Sequence, residues 1–232
     1  MAKHRLTAVS KSTIARAVLG AGVLASAFGV PAAAHADTST AVAAATAAKH
    51  PATALAAHKA SERDETKITA TADQVLAVAR AQVGVSENAS GGGTKFQQWY
   101  ANSQRAAETV ARDGGSRAAY LNAAWCSMFV SWVGEHTGAR PQVGWDAWTV
   151  AHAKWFAANK RFGHEAKPGA VVFFSWKGGK SLSDIQHVGF VVKDNHDGTI
   201  STIEGNTGNG KVEERVRPKS QVVGYGYPEY AG

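Results

Sequence analysis

A single cysteine, Cys126, stands in 232 residues. No internal disulfide can form, so any folded part of the chain must be held by its core. Long apolar runs are also scarce. The longest, Ala17 to Val30, falls short of the roughly 20 residues needed to span a bilayer, which argues against a permanent transmembrane anchor. An excess of one charge sign is weaker than the totals suggest. Four of the 25 Lys and Arg residues (Lys3, Arg5, Lys11 and Arg16) lie in the first 36 positions, leaving 21 against 18 acidic residues, a formal +3. That balance does not support nucleic-acid binding, and it is compatible with weak attraction to an anionic cell envelope. No cluster of residues has metal-ligand spacing. Asp194 to Gly198, "DNHDG", lacks the closing Glu of an EF-hand and reads as a hairpin turn. Neither a metal nor another cofactor is expected, and EDTA should leave any activity intact.

What is present begins with an export signal. The four basic residues form a positive n-region, Ala17 to Val30 is a short apolar core, and "AHA" at Ala34 to Ala36 supplies a small-residue cleavage pattern. The expectation is a signal peptide over 1–36, cleaved after Ala36, and a secreted product with no stable membrane insertion. Residues 37–67 are mainly Ala, Thr, Lys and His. They have too little apolar surface to offset their ordering entropy and read as a flexible linker. All seven Trp fall in 68–232, a length suited to one domain with its own core. No internal repeat is found.

Within that domain the periodicity changes once. Thr71 and Gln74 have capping-box spacing, Val75, Leu76, Ala79 and Val83 share a helical face, and Gly84 is a stop signal. The chain from Ser86 starts as a Gly-rich loop and turns helical near Phe96 to Tyr100, and 104–122 is an ambiguous, partly helical insertion. Further helices are expected from Trp125 to Glu135 and from Asp146 to Asn159. Beyond them come short segments rich in β-branched and aromatic residues, "AVVFFSW", "HVGFVVKD", "GTISTIEG", "KVEERVRP" and "VVGYGYPEY", separated by turn dipeptides. Helices followed by a meandering antiparallel sheet mean an α+β fold. After Glu204, Gly205 and "NTGNG" look like loop.

Cys126 is compatible with two readings. Its apolar neighbours suit a small buried hydrophobe. In an exported chain, however, an unpaired cysteine suggests a reactive thiol or intermolecular pairing. In the first turn of a helix its thiolate would also be favoured by unpaired N–H groups and the helix dipole. A nucleophile needs a base. His136 is about ten residues along the same helix, roughly 15 Å away, and cannot reach. His152 shares a face with Trp148, Trp155 and Phe156 and reads as structural, while His164 and His196 fall in polar loop or turn. His187 opens a strand, a rigid mount for an imidazole, although an edge-strand surface histidine would look the same. An orienting acid is offered by Glu204, which projects from the face opposite Ile203. Its alternative is a solvated strand carboxylate. Asp184, Asp194 and Asp197 are rivals, the last two already accounted for by turn chemistry. Asn206 could share the orienting task or bind substrate.

The order "AWCSMFVSW", "KPGAVVFF", "HVGFVV", "TIEGNT", "VVGYGYP" closely resembles the CHAP domains, cysteine, histidine-dependent amidohydrolases/peptidases of bacterial peptidoglycan. The similarity runs from about Ala72 to Pro228, and "ARAQVGVSENASGGGTKFQQWY" resembles the opening of actinobacterial and phage members. The resemblance implies a papain-like fold with N-terminal helices packed on an antiparallel sheet, Cys126 as nucleophile, His187 as general base and Glu204 as third member. Asn206 matches the asparagine often found two residues beyond that acid. Peptidoglycan is the implied partner, and a monomer is expected. Two features depart from the pattern. Trp125 stands where many members have a polar residue, so the Cys126 backbone N–H is the candidate oxyanion donor. Asn102 to Leu121 looks inserted and could line the cleft. Trp125 and Tyr100 join Asn206 as candidate substrate-binding or orienting residues, and Tyr100 and Trp99 could equally be core aromatics. The activity implied is an N-acetylmuramoyl-L-alanine amidase or a stem or cross-bridge endopeptidase; the alternative is a catalytically silent domain that binds cell wall or a partner.

Overall fold

A computed structural model describes residues 67–232. The expected signal peptide, and the linker but for its last residue, lie outside the described residues. The first helix, α1 (Ala72–Arg80), begins as its spacing predicts: the Thr71 hydroxyl accepts from the Gln74 N–H, and the Gln74 side-chain oxygen accepts from the Thr71 N–H. Val75, Leu76 and Ala79 are buried. Val83, expected on the same face, is 46% exposed instead. The chain leaves the helix before reaching it, through tighter i−3 bonds at Gln82 and Val83, and the Gly84 N–H donates to the Val212 carbonyl. A contact to the sheet thus overrides the helical period.

Helix α2 (Lys95–Asn102) carries a second capping box, Thr94 with Gln97. The ambiguous insertion resolves into α3 (Gln104–Asp113) and a 3₁₀ turn over Arg117–Asn122. Helix α4 (Cys126–His136) follows, then a short α5 (Arg140–Val143) and α6 (Thr149–Ala158). Asp146, expected to open α6, stays outside it. Its carboxylate accepts from Arg105, Arg112 and the Trp148 N–H, so it tethers the insertion to the loop before the helix.

The strands are β1 (Phe162–Gly163), β2 (Val171–Phe174), β3 (His187–Asp194), β4 (Thr199–Thr207), β5 (Lys211–Pro218) and β6 (Val222–Gly226). They form one antiparallel sheet in the order β1-β6-β2-β3-β4-β5. The expectation of loop from Gly205 needs correction, because β4 continues to Thr207 across an irregularity after Glu204. There Asn206 takes a positive φ of 53°, a conformation that asparagine tolerates better than most residues.

The helices cover one face of the sheet. The main core lies between, with Phe96, Trp125, Phe129, Phe190 and Ile203 fully buried. A smaller cluster on the opposite face contains Val172, Phe174, Val191 and Ile200. Helix α4 packs against β3 and β4 at the centre of the sheet. Close approach depends on Gly205, where a β-carbon would stand 2.6 Å from the Phe129 Cβ. This is the expected α+β, papain-like arrangement. Among the described residues no helix is long and apolar enough to cross a membrane.

Candidate active site

Cys126 is the first residue of α4, and no side chain caps that helix start. The preceding Trp125 is fully buried. Its indole N–H donates to Glu87 Oε2 at 2.8 Å and its ring stacks on Phe96 at 5.3 Å. Trp125 therefore anchors the helix start in the core and presents no surface to a substrate. On the next residue, the Ser127 hydroxyl lies 2.9 Å from His152 Nδ1, whose Nε2 meets the Val143 carbonyl at 2.7 Å. His152 is structural, as its position on α6 suggests, and burial pushes its pKa down.

His187 opens β3. Val188 and Phe190 enter the main core, so period-two alternation turns His187 and Gly189 to the other face. Ile203 likewise points at the helices and Glu204 away from them. The imidazole and the carboxylate thereby share a face on adjacent strands, with His187 Nε2 and Glu204 Oε2 at 2.9 Å. Gly189 makes room between them, since a β-carbon there would lie 2.7 Å from the Glu204 Cγ. Cys126 and His187 line the same cleft, and the neighbouring thiol contributes to the imidazole's raised pKa. With Nε2 engaged by Glu204, Nδ1 is the nitrogen left for sulfur. Burial alone would lower the imidazole pKa, but Cys126 and Glu204 more than offset it and raise it to about 9.

Glu204 is fully buried, an environment that by itself favours the neutral acid. Hydrogen bonds from Arg217, His187 and Thr202 outweigh burial and hold the carboxyl at about 2. Arg217 Nε donates to Oε1 at 2.9 Å and Nη2 to Oε2 at 2.6 Å, while the Thr202 hydroxyl donates to Oε1 at 2.6 Å. Arg217 also donates to the Thr207 hydroxyl and lies over the Trp176 ring. Sequence reasoning missed Arg217 and Trp176. Alternation along "VEERVR" puts Glu213, Arg215 and Arg217 on one face; the β4–β5 register sets Glu213 opposite Glu204 and Arg217 opposite Ile200, and the long arginine side chain reaches back along that face to Glu204.

A cleft of about 470 Å³ opens over this array, lined by Cys126, His187, Trp176, Asn206, Arg215 and Arg217 among others. Cys126 is only 6% exposed, yet it forms part of the cleft wall. The structure thus brings Cys126, His187, Glu204 and Asn206 together. Tyr100, expected as a possible substrate contact, is fully buried and lies in the core. Its hydroxyl accepts from the Ala147 N–H and lies near Thr109, and burial raises its pKa. Among the described residues the other histidines lie elsewhere. His136 stacks on Trp132, His164 faces a different groove, and His196 sits in the β3–β4 turn, where Asp194 and Asp197 accept from backbone N–H groups.

An α+β domain with a thiol beside an imidazole that is hydrogen-bonded to a carboxylate, open to a cleft, has the constellation of a cysteine acyl-transfer site. The model of the CHAP domain family matches residues 117–206, a span containing all three groups and Asn206. That family comprises hydrolases, amidases and peptidases of peptidoglycan. No curated protein and no solved structure matches the chain.

Proposed function

We propose that the protein is a secreted peptidoglycan hydrolase that cleaves an amide bond through a cysteine acyl-enzyme. The observation that carries the reading is that Cys126 and His187, the latter hydrogen-bonded to Glu204, line one open cleft. With the proton already on His187, sulfur attacks the amide carbonyl carbon, forming a C–S bond. The oxyanion is received by the Cys126 backbone N–H at the uncapped start of α4. The His187 imidazolium then gives its proton to the amide nitrogen, the C–N bond breaks, and the amine leaves. Water enters, His187 takes its proton, hydroxide adds to the thioester, and breaking the C–S bond returns the thiol and releases the acid. Glu204 fixes the imidazole orientation and stabilises its charged form throughout.

The test is clearing of a purified cell-wall suspension by wild type, Cys126→Ala and Cys126→Ser. Only wild type should clear it, and equal clearing by all three would eliminate the thiol mechanism. Export rests on the basic, apolar and "AHA" segments at the start of the chain. Protein recovered from culture medium should begin at Asp37, and an intact Met1 terminus would contradict it.

A further inference from the structure

Two guanidinium groups line the catalytic cleft, and they are held in different ways. Arg217 is committed, since its three hydrogen bonds go to Glu204 and Thr207 and its guanidinium lies over the Trp176 ring. The Arg215 guanidinium makes no hydrogen bond among the described residues. Its Nη2 stands 2.5 Å from Glu213 Oε2, yet neither Arg215 Nε nor that Glu213 oxygen has a hydrogen-bond partner, so the pair is a contact of charges without aligned N–H groups. A guanidinium carries five N–H donors in a fixed fork, and here the fork is unused. Gly208 gives it room, because a β-carbon there would stand 2.6 Å from Arg215 Nη2. No carboxylate lines the cleft among the described residues: Glu213 is outside its wall and Glu204 is fully buried. A donor array of fixed positive charge thus faces the space in which Cys126 and His187 work.

We infer that Arg215 is a specificity-determining residue that receives an ionised carboxylate of the substrate, and that the enzyme thereby separates a stem glutamate with a free α-carboxyl from one whose α-carboxyl is a primary carboxamide. The inference rests on the peptidoglycan hydrolase reading and holds for whichever amide is cut. A stem glutamate joined through its side chain keeps its α-carboxyl at an interior position, close to the amides on either side of it, whereas a carboxyl at the stem end lies further off. The two forms of that group have nearly the same shape. They differ in charge, and the carboxamide replaces one acceptor oxygen with an NH₂ donor. Against a guanidinium fork that replacement sets N–H against N–H and removes the charge-assisted, two-bonded pairing that a carboxylate makes. Glu213 is the internal competitor. It holds Arg215 by one edge only, so a substrate carboxylate has the remaining donors to itself.

The test uses two soluble cross-linked muropeptides that retain the lactyl, stem and cross-link amides and differ only in whether the stem glutamate carries the α-carboxylate or the carboxamide. Mass analysis of the products gives kcat/KM for each. Wild type should favour the carboxylate form about tenfold, as expected for a charge-assisted contact at a partly exposed site. Added salt should narrow that ratio. Arg215→Gln should bring it to about one, chiefly by loss on the carboxylate form, and Arg215→Lys should keep part of the preference. Glu213→Gln removes the competitor and should widen the ratio beyond that of wild type, an opposite change that damage to the fold would not produce. A wild-type ratio near one, a preference that survives Arg215→Gln, or a parallel loss on both forms in that variant would overturn the assignment and leave the hydrolase reading in place. Failure of wild type to cut either muropeptide, or identical products from wild type and Cys126→Ala, would overturn both.

Discussion

Glu204 and Arg217 face each other across β4 and β5 through two hydrogen bonds, Nε to Oε1 at 2.9 Å and Nη2 to Oε2 at 2.6 Å. A carboxylate with no exposed surface depends on this fork for a fixed opposite charge, since the Thr202 hydroxyl that also meets Oε1 is neutral and His187 is the one other donor. Removing the cation strands a buried charge, at a cost of roughly 3 kcal/mol. Arg217→Met should therefore unfold at lower urea concentration than wild type. Because Glu204 would then protonate more readily, the acid limb of kcat/KM should also move to higher pH. Arg217→Lys restores charge without the planar fork and should recover only part of both effects. A variant with lowered stability and an unmoved acid limb would show that Arg217 supports only the fold.

His187 keeps its proton to about pH 9 through Cys126 and Glu204. The imidazolium is the proton donor to the leaving amine, so kcat/KM should fall on the alkaline side near pH 9. In Glu204→Gln that limb should shift down by a unit or more, and the maximal rate should drop on the order of 100-fold. An alkaline limb at the same pH in both proteins would remove Glu204 from the relay.

The carboxyl of Glu204 sits at about 2, below its ordinary 4.5. A depressed carboxyl stabilises the fold above its unfolded pKa and is lost as pH falls through the folded one. Stability should thus decline between pH 4.5 and 2, with Glu204 contributing roughly 3 kcal/mol over that window. Urea titrations at pH 5 and pH 2.5 should show a smaller difference for Glu204→Gln than for wild type.

Two glycines set the spacing of the site. A β-carbon at Gly205 would meet the Phe129 Cβ at 2.6 Å, and one at Gly189 the Glu204 Cγ at 2.7 Å. Neither neighbour is the free end of a flexible chain. Gly205→Ala should destabilise by about 1–3 kcal/mol as α4 is pushed off the sheet. Gly189→Ala should act more on rate than on stability, because it displaces the carboxyl from His187. A circular dichroism melt paired with a cell-wall clearing assay separates the two effects.

The chemistry-bearing residues were legible because each announces itself locally. A lone cysteine before an apolar helix, a histidine at the mouth of a strand and a carboxylate in an uncharged strand stand out from their surroundings. The Thr71–Gln74 capping box and the turn dipeptides before β2, β4 and β5 likewise marked the starts of those elements and of α1. Val83 and Gly205 misled for a shared reason: at both, a hydrogen bond or close contact from a distant element settled the backbone. Tyr100 could be read as surface or core because an aromatic on a short helix carries no local sign of which face is covered.

The amino-acid order by itself determined the α+β class, the period of each element and the face on which Glu204 lies, because these follow from nearest-neighbour sterics and alternation along the chain. The tertiary structure alone decided that Arg217 reaches Glu204, that Gly189 clears its path to His187, and that Arg215 lines one cleft with Cys126. Those relations depend on strand register and on the approach of α4 to the sheet. Both are settled by packing between residues far apart in sequence, which no local pattern encodes.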